Sequence, residues 1–438
     1  MYVEAFIPRK KDFPNNRTWD RYRRSNYYIP VLLILLTFVS ANMQSSFPLG
    51  NTVVVWILQF VLLYCLWKQK VYSHIGTFTN PYCIVGLYLV WAIIGIVRGV
   101  FVAENYWEYK NLVNNSLILL FPICVYAFNS PILISRVLQT WLRYAIPAFF
   151  LFFCWVSGLT QFYLGPIFFF ICFLPLVRNT KWKYLLLIIG LALLSYDIQD
   201  QRSQFIKALF SFLMMLAVLM RNCLSDLMLR LAHAILHILP LVLLVLGLFG
   251  VFNIFSDTSE VYNGKFLSSK EDKNGNHVDM SADTRTFIYY EVITSAINNN
   301  YVLLGRTPAR GNDTESFWEL ADDLQSVKKV ENIKHERVKN ELCFLNIFTW
   351  LGLIGMLLYI GIYVTASYLG VYKSRNIYVK LIGLYVAFNF VYGWVENVTN
   401  FDILNFNYWL MISICLSTKF RKMTDRLFEK WICRIFAF

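Results

Sequence analysis

Apolar residues in this chain come in long blocks separated by short polar connections. A helix that crosses hydrocarbon needs about 17–25 mainly apolar residues. Blocks of this kind cover 27–43, 52–67, 81–102, 115–130, 139–158, 160–177, 182–197, 203–220, 233–255, 343–370, 377–396 and 402–418. The pattern predicts an all-α, polytopic membrane protein of twelve transmembrane helices. One stretch breaks the rhythm. Residues 256–342 are polar and lie between the ninth and tenth blocks. The chain therefore divides into a membrane domain over 1–255, a large loop over 256–342, a second membrane portion over 343–420 and a tail over 421–438.

Lysine and arginine in the short connections set the orientation. With the N-terminus inside, the inner segments and both tails hold 25 of them, among them Lys68, Lys70, Arg178, Lys181, Lys183, Lys373 and Arg375. The short outer connections hold 2, Lys110 and Arg202. This asymmetry predicts cytoplasmic termini and an extracytoplasmic loop at 256–342. That loop contains 11 Lys/Arg and 15 Asp/Glu, so its arginines stand against a mildly acidic background. In the tail, Leu427, Phe428, Trp431, Ile432, Ile435 and Phe436 alternate with charge. This spacing predicts an amphipathic helix on the inner membrane surface.

Composition supports the membrane reading. Of 438 residues, 57% are hydrophobic and 15% charged, and the mean hydropathy is +0.49. A soluble domain of this length has no core large enough for so much apolar surface. The net charge of +13 does not point to nucleic acid, because the positive charge is spread over loops between spans. Most of the nine cysteines lie inside apolar blocks, so no disulfide framework is read. His233 and His237 share helical spacing but have no carboxylate or cysteine partner in the pattern, and no metal site is expected.

Several residues could carry chemistry. Arg98 lies near the outer end of the third block, and an ionisable group at membrane depth is a functional candidate. Arg202 opens the eighth block after a polar turn. In the loop, Phe287, Ile288, Val292, Ile293 and Ile297 suit a short amphipathic helix, with Asp283 or Thr284 as its N-cap. Arg285 then falls in the first turn, where free backbone N–H groups and a guanidinium together favour an anion. Arg306 and Arg310 stand beside Gly305 and Gly311, which permit close approach of backbone to a ligand. Arginines converging on one outward face suit a diphosphate. Each has a plainer reading as solvated surface charge. Glu341 heads the tenth block, with Arg337 four residues before it as an ion-pair partner. Gly352 and Gly355, three apart, allow close helix packing.

On these residues the chain resembles the O-antigen polymerase and ligase family of bacterial inner-membrane glycosyltransferases. Gln201-Arg202-Ser203 is similar to the family's arginine that starts a span after a polar turn. Arg285, followed by the turn at Gly305, is similar to its loop-helix arginine. Gly352-x-x-Gly355 matches a Gly-x-x-Gly element that follows a His-Asn-type pair by nine residues. In this chain the histidine position falls on Glu341 and the next on Leu342, which is a departure.

The resemblance implies transfer of an oligosaccharide from a polyprenyl diphosphate carrier, without metal or cofactor, on the periplasmic face of the inner membrane. It implies that Arg202, Arg285 and Arg306 bind the diphosphate, with Arg310 and Arg98 as secondary candidates. It implies that Glu341 activates the acceptor hydroxyl, with His335 as the alternative. The missing His-Asn pair favours a repeat-unit polymerase for O-antigen, capsule or exopolysaccharide over a ligase. A lipid-linked oligosaccharide flippase or other transporter is the competing class. Expected partners are the lipid-linked oligosaccharide, the bilayer, and possible chain-length regulator and flippase proteins. Nucleic acid is not among them.

Overall fold

The computed structural model describes residues 16–42, 51–72, 76–156, 163–195, 202–248, 269–271, 277–279, 284–314 and 335–437. Residues 1–15 and, within the polar loop, 256–268, 272–276, 280–283 and 315–334 therefore lie outside the described residues.

Helices dominate the rest. In chain order they are α1 Asn16–Asn42, α2 Thr52–Tyr72, α3 Cys83–Val102 and α4 Tyr106–Leu120, the last continued by short turns to Ala127. Next come α5 Pro131–Thr140, carried through π-helical turns to Val156, and α6 Ile167–Cys172. They are followed by α7 Thr180–Ser195, α8 Arg202–Leu219 and α9 Asp226–Leu248. The loop contributes α10 Thr284–Asn298. The C-terminal part holds α11 Cys343–Lys373, α12 Ile377–Tyr392, α13 Ile403–Leu416 and α14 Asp425–Ile435. Two small antiparallel pairs complete the described structure. One joins β1 Ser269–Glu271 to β2 His277–Asp279, and the other joins β3 Asn312–Asp313 to β4 Glu336–Arg337.

Each of the twelve apolar blocks carries helix. Five described helical stretches are long and apolar enough to cross a bilayer: Thr52–Val71, Cys83–Val102, Tyr106–Ala127, Asp226–Leu243 and Cys343–Tyr372. Four shorter apolar helices, Asn26–Val39, Gln204–Leu219, Ile377–Tyr392 and Ile403–Leu416, pack among them. Their outward surfaces are apolar. On α3, Val90, Ile93, Val97 and Phe101 are exposed, and on α9 so are Leu231, Ile235, Ile238 and Leu241. Such stripes suit lipid tails and not water.

Polar side chains end the helices. Asn105 accepts from the N–H groups of Trp107 and Glu108 to start α4, and Asn376 accepts from Val379 to start α12. Asp402 does the same for α13 through Asn405. In the bundle, α11 packs on α3, α12 and α13, and α12 packs on α8, α9 and α13. The tail helix α14 differs from expectation. Phe428, Trp431, Ile432 and Ile435 are buried against protein, with Phe428 facing Phe173 and Tyr378 and Trp431 facing Phe420. The apolar face that its spacing assigned to lipid is spent on closing one end of the bundle. The Arg375 N–H donates to Arg421 O just before it, and the Ile377 N–H donates to the Asp425 side chain, which fixes it there. The loop elements pack at the opposite end of α12, where the Tyr289 hydroxyl donates to Trp394 O.

Candidate functional site

The tenth apolar block is not one straight helix. Gly352 has φ +70° and ψ −173°, so α11 consists of a short half, Cys343–Leu351, and a long half beginning at Leu353. Along a straight helix, residues 344 and 363 would be separated by about 28 Å. The ring of Phe344 instead lies 6.3 Å from that of Tyr359 and 6.2 Å from that of Tyr363. The chain therefore folds back sharply at Gly352. The long half retains 21 residues to Lys373, about 31 Å, enough for a crossing.

A break of this kind frees backbone groups that must find partners. The loop supplies them. Leu353 N–H donates to Val302 O at 2.8 Å, and Ile354 N–H donates to Leu303 O at 3.4 Å. Thr349 O accepts from Arg306 N–H at 2.7 Å, and Leu351 O accepts from the Trp91 indole at 2.9 Å. Gly305, φ +73°, lies directly against Gly352, and a Cβ on either glycine would collide with backbone of the other segment. Gly352 thus serves the break and the loop. Gly355 faces α3, where an added Cβ would stand 3.1 Å from Trp91.

The loop helix α10 runs where its spacing placed it, with a shifted buried face. Ile288, Val292 and Ala296 pack with Tyr301, Leu342, Leu345 and Phe348, while Ile293 and Ile297 are exposed. The helix thereby sits on the short half of α11. Beyond it the chain turns through Asn300 and Thr307, both at positive φ. For buried, β-branched Thr307 at φ 97° this is strained backbone, held by its surroundings.

Three arginines meet in one open cleft of about 340 Å³, lined also by Asn299, Asn300, Tyr301 and Leu304. Arg98 reaches from α3 and donates to Leu304 O at 2.6 Å and Gly305 O at 3.2 Å. Arg306 pairs with Asp313 at 2.6 Å and Glu336 at 3.1 Å. Arg310 grips Glu336 through Nε and Nη2 and stands 3.7 Å from Glu108 of α4. Arg306 and Arg310 therefore spend their forks on carboxylates, and their charge is balanced locally. Arg98 bonds only to carbonyls among the described residues, so its charge is the least neutralised of the three.

Burial pushes the Asp313 carboxyl up. The Arg306 guanidinium, Asn299 and Ser295 outweigh it and hold the group below the ordinary carboxylate range. The same setting raises Tyr301 to about 12, through burial first and against the Ser295 bond and the Arg306 charge.

The other predicted residues are placed differently. Arg202 is the first residue of α8 and Arg285 the second of α10, but both side chains lie outside the described residues. Glu341 is not in the cleft lining. Its side chain is 62% exposed and faces Arg337 at 3.6 Å. His335 is exposed as well, and its carbonyl accepts from Thr314 N–H at 3.1 Å. His233 and His237 of α9 both bond to Ser367 of the tenth block, at 3.2 and 3.3 Å. Among the described residues no group of three or more His, Cys, Asp or Glu could hold a metal ion.

Sequence reasoning passed over Lys207, Lys339, Glu396 and Asp402. Lys339 is half-buried and donates to Asn400 Oδ1. Burial lowers its pKa to about 8, opposed by the charge of Asp402. Asp402 is buried, accepts from the Asn405 N–H and faces the charges of Lys339 and Lys207. A lysine within the apolar run 203–220 was the available signal.

Comparison with family models, curated proteins and solved structures found no match. The apolar helices and their outward faces define the class: this is an all-α membrane protein.

Proposed function

We propose that the protein is a membrane glycosyltransferase. In this reading it polymerises polyprenyl-diphosphate-linked oligosaccharide repeat units on the extracytoplasmic face of the bacterial inner membrane. All twelve helical blocks cross the bilayer, and both termini are cytoplasmic. The observation that carries the proposal is the cleft at the broken end of α11. There, Arg98 from a membrane helix and Arg306 and Arg310 from the loop converge beside a loop segment bonded into the break. A diphosphate at the membrane surface needs guanidinium forks held at that depth, and an oligosaccharide beyond it needs an open side.

Within this reading, Arg98, Arg202 and Arg285 contact the diphosphate. Arg306 and Arg310, already paired, hold the loop in shape and lend remaining N–H donors. Glu341 takes the proton as the acceptor hydroxyl attacks the anomeric carbon, and the carbon–oxygen bond to the diphosphate breaks. His335 is the second candidate for that step. Both face solvent, where an acceptor arrives. The Arg337–Glu341 pair is long, at 3.6 Å, and its carboxylate is exposed, so the carboxylate can be released from it. No residue of this step calls for a metal.

The test is deletion of the gene followed by gel analysis of surface glycan length. The proposal expects the long-chain ladder to vanish and single repeat units to remain. An unchanged ladder would exclude it. Loss of all glycan, with lipid-linked precursor trapped inside, would instead favour the flippase reading.

A further inference from the structure

A second polar assembly lies among α8, α12 and α13, apart from the arginine cleft. The register between α8 and α12 is given by three contacts. Ser211 Oγ lies 3.1 Å from the Tyr385 hydroxyl, Phe210 stacks on Phe388 at 3.9 Å, and the Lys207 ammonium stands over the Tyr392 ring at 5.1 Å. Residues 385, 388, 389 and 392 therefore form one face of α12, and 204, 207 and 211 one face of α8. Moving away from the Phe210–Phe388 stack, this interface turns polar. By helical spacing Gln204 lies one turn beyond Lys207 on α8 and Asn389 lies between Tyr385 and Tyr392 on α12, while Tyr408 of α13 has Tyr385, Tyr392, Glu396 and Asp402 in its electrostatic surroundings.

Two features set this assembly apart. Its charges balance: Lys207 feels the carboxylates of Glu396 and Asp402, and Asp402 also faces Lys339. Its neutral groups do not. Both amide atoms of Asn389, the Gln204 and Asn405 carbonyl oxygens and the Tyr408 hydroxyl are buried without a hydrogen-bond partner. Asn389 and Tyr408 are each 1% exposed, Asn405 2% and Gln204 4%. An unpaired buried amide or hydroxyl destabilises the fold, and several on adjoining helix faces are tolerated only where something polar completes them.

We infer that Gln204, Asn389, Asn405 and Tyr408 form a subsite for a neutral, hydroxyl-rich ring, which under the polymerase reading is a sugar of the substrate. A carboxamide offers one acceptor and two donors on adjacent atoms, which complements neighbouring hydroxyls. Tyrosine adds an apolar ring face with a polar tip. With lysines and carboxylates in equal number, the assembly has no net attraction for a diphosphate, so it does not duplicate the arginine cleft.

The sugar assignment rests on the polymerase reading, whereas the subsite is testable alone. Full-length protein in detergent is titrated with the neutral oligosaccharide released from the host's own surface polysaccharide, with inorganic pyrophosphate as competitor. The expected result is saturable binding that pyrophosphate does not displace, weakened tenfold or more by Asn389→Leu and severalfold by Tyr408→Phe. The melting temperature of Tyr408→Phe should stay near that of the parent, so that its effect reads as lost contact. Equal affinity in parent and both variants, or no binding by the parent, overturns the subsite. So does Asn389→Leu that raises the melting temperature at unchanged affinity, since water alone would then occupy the amides. The polymerase reading stands or falls separately, on glycan length in the deletion strain.

Discussion

The arginine cleft and the amide assembly are two polar regions in an apolar protein, and they are built in opposite ways. In the cleft nearly every strong group is already answered. Arg306 and Arg310 are locked to Asp313, Glu336 and Glu108, and the loop backbone is bonded into the break of α11. Among α8, α12 and α13 the ionic groups balance, while the neutral amides and hydroxyl are left over. The first pattern gives a rigid frame in which one guanidinium, Arg98, bonds to carbonyls and to no carboxylate among the described residues. The second gives a place that is incomplete until a neutral polar ligand or water enters. An arginine count alone would have ranked the cleft's residues equally, and their partners show that they are not equal.

The comparison breaks most directly at Arg98. Arg98→Ala removes the least neutralised guanidinium and the tie from α3 to the loop. Polymer formation should fall at least tenfold, about 1.4 kcal/mol or more of transition-state stabilisation. Arg98→Lys should lose most of it too, because a lysine cannot span both carbonyls and a ligand. Glycan length and protein level in membranes check this together, and normal length with Arg98→Ala would remove Arg98 from the site.

Next in size is Gly352→Ala. At φ +70° and ψ −173° the backbone is in a region essentially reserved for glycine, costing an L-residue roughly 1–3 kcal/mol, and the added Cβ also meets the Leu303 carbonyl. The loop should detach from α11. Proteolysis within the loop should quicken and the melting temperature should drop, whereas Gly361→Ala, on the long half facing Ile84, should do much less.

A smaller effect separates frame from ligand contact. Arg306→Lys keeps charge beside Asp313 and Glu336 and should reduce polymerisation only partly. Arg285→Lys, if Arg285 binds diphosphate, should abolish most of it. Equal losses in the two would mean that the two arginines serve the same end. For the proton acceptor, Glu341→Gln should lose polymer while the protein accumulates normally. Full-length polymer from that variant, with loss in His335→Ala, would move the assignment to His335.

The smallest prediction concerns acid. The folded pKa of Asp313 is depressed, so its stabilising share is complete above the unfolded value near 3.9 and is lost as pH falls through the folded value. Loop protection against proteolysis should therefore hold from neutral pH to about 4 and weaken below it. Asp313→Asn should flatten that slope.

Much of the helical frame was legible in the apolar blocks, because burial in lipid demands long uninterrupted runs. The loop helix was legible for a similar reason, its period being helical. The fold-back at Gly352 was half visible. A block of 28 residues, 343–370, is longer than one crossing needs, and it carries Asn346, Thr349 and four glycines. Which glycine breaks the helix depends on the loop that fills the break, and nothing local announces that. The pairing of Arg310 with Glu108 joins residues far apart in sequence, so the guanidiniums looked free when they are not. The amides were visible as single polar letters, Asn389 and Gln204, within apolar runs. Their meaning appears only when three helices place them together.

The account's central claim is that this protein lengthens lipid-linked glycan at the arginine cleft. Purified full-length protein should be incubated with polyprenyl-diphosphate-linked repeat units and the products resolved by length. The account predicts a ladder of lipid-linked oligomers that forms without added metal and is lost with Arg98→Ala. Repeat units that remain single with the parent protein, although the deletion strain lacks long glycan, would contradict it.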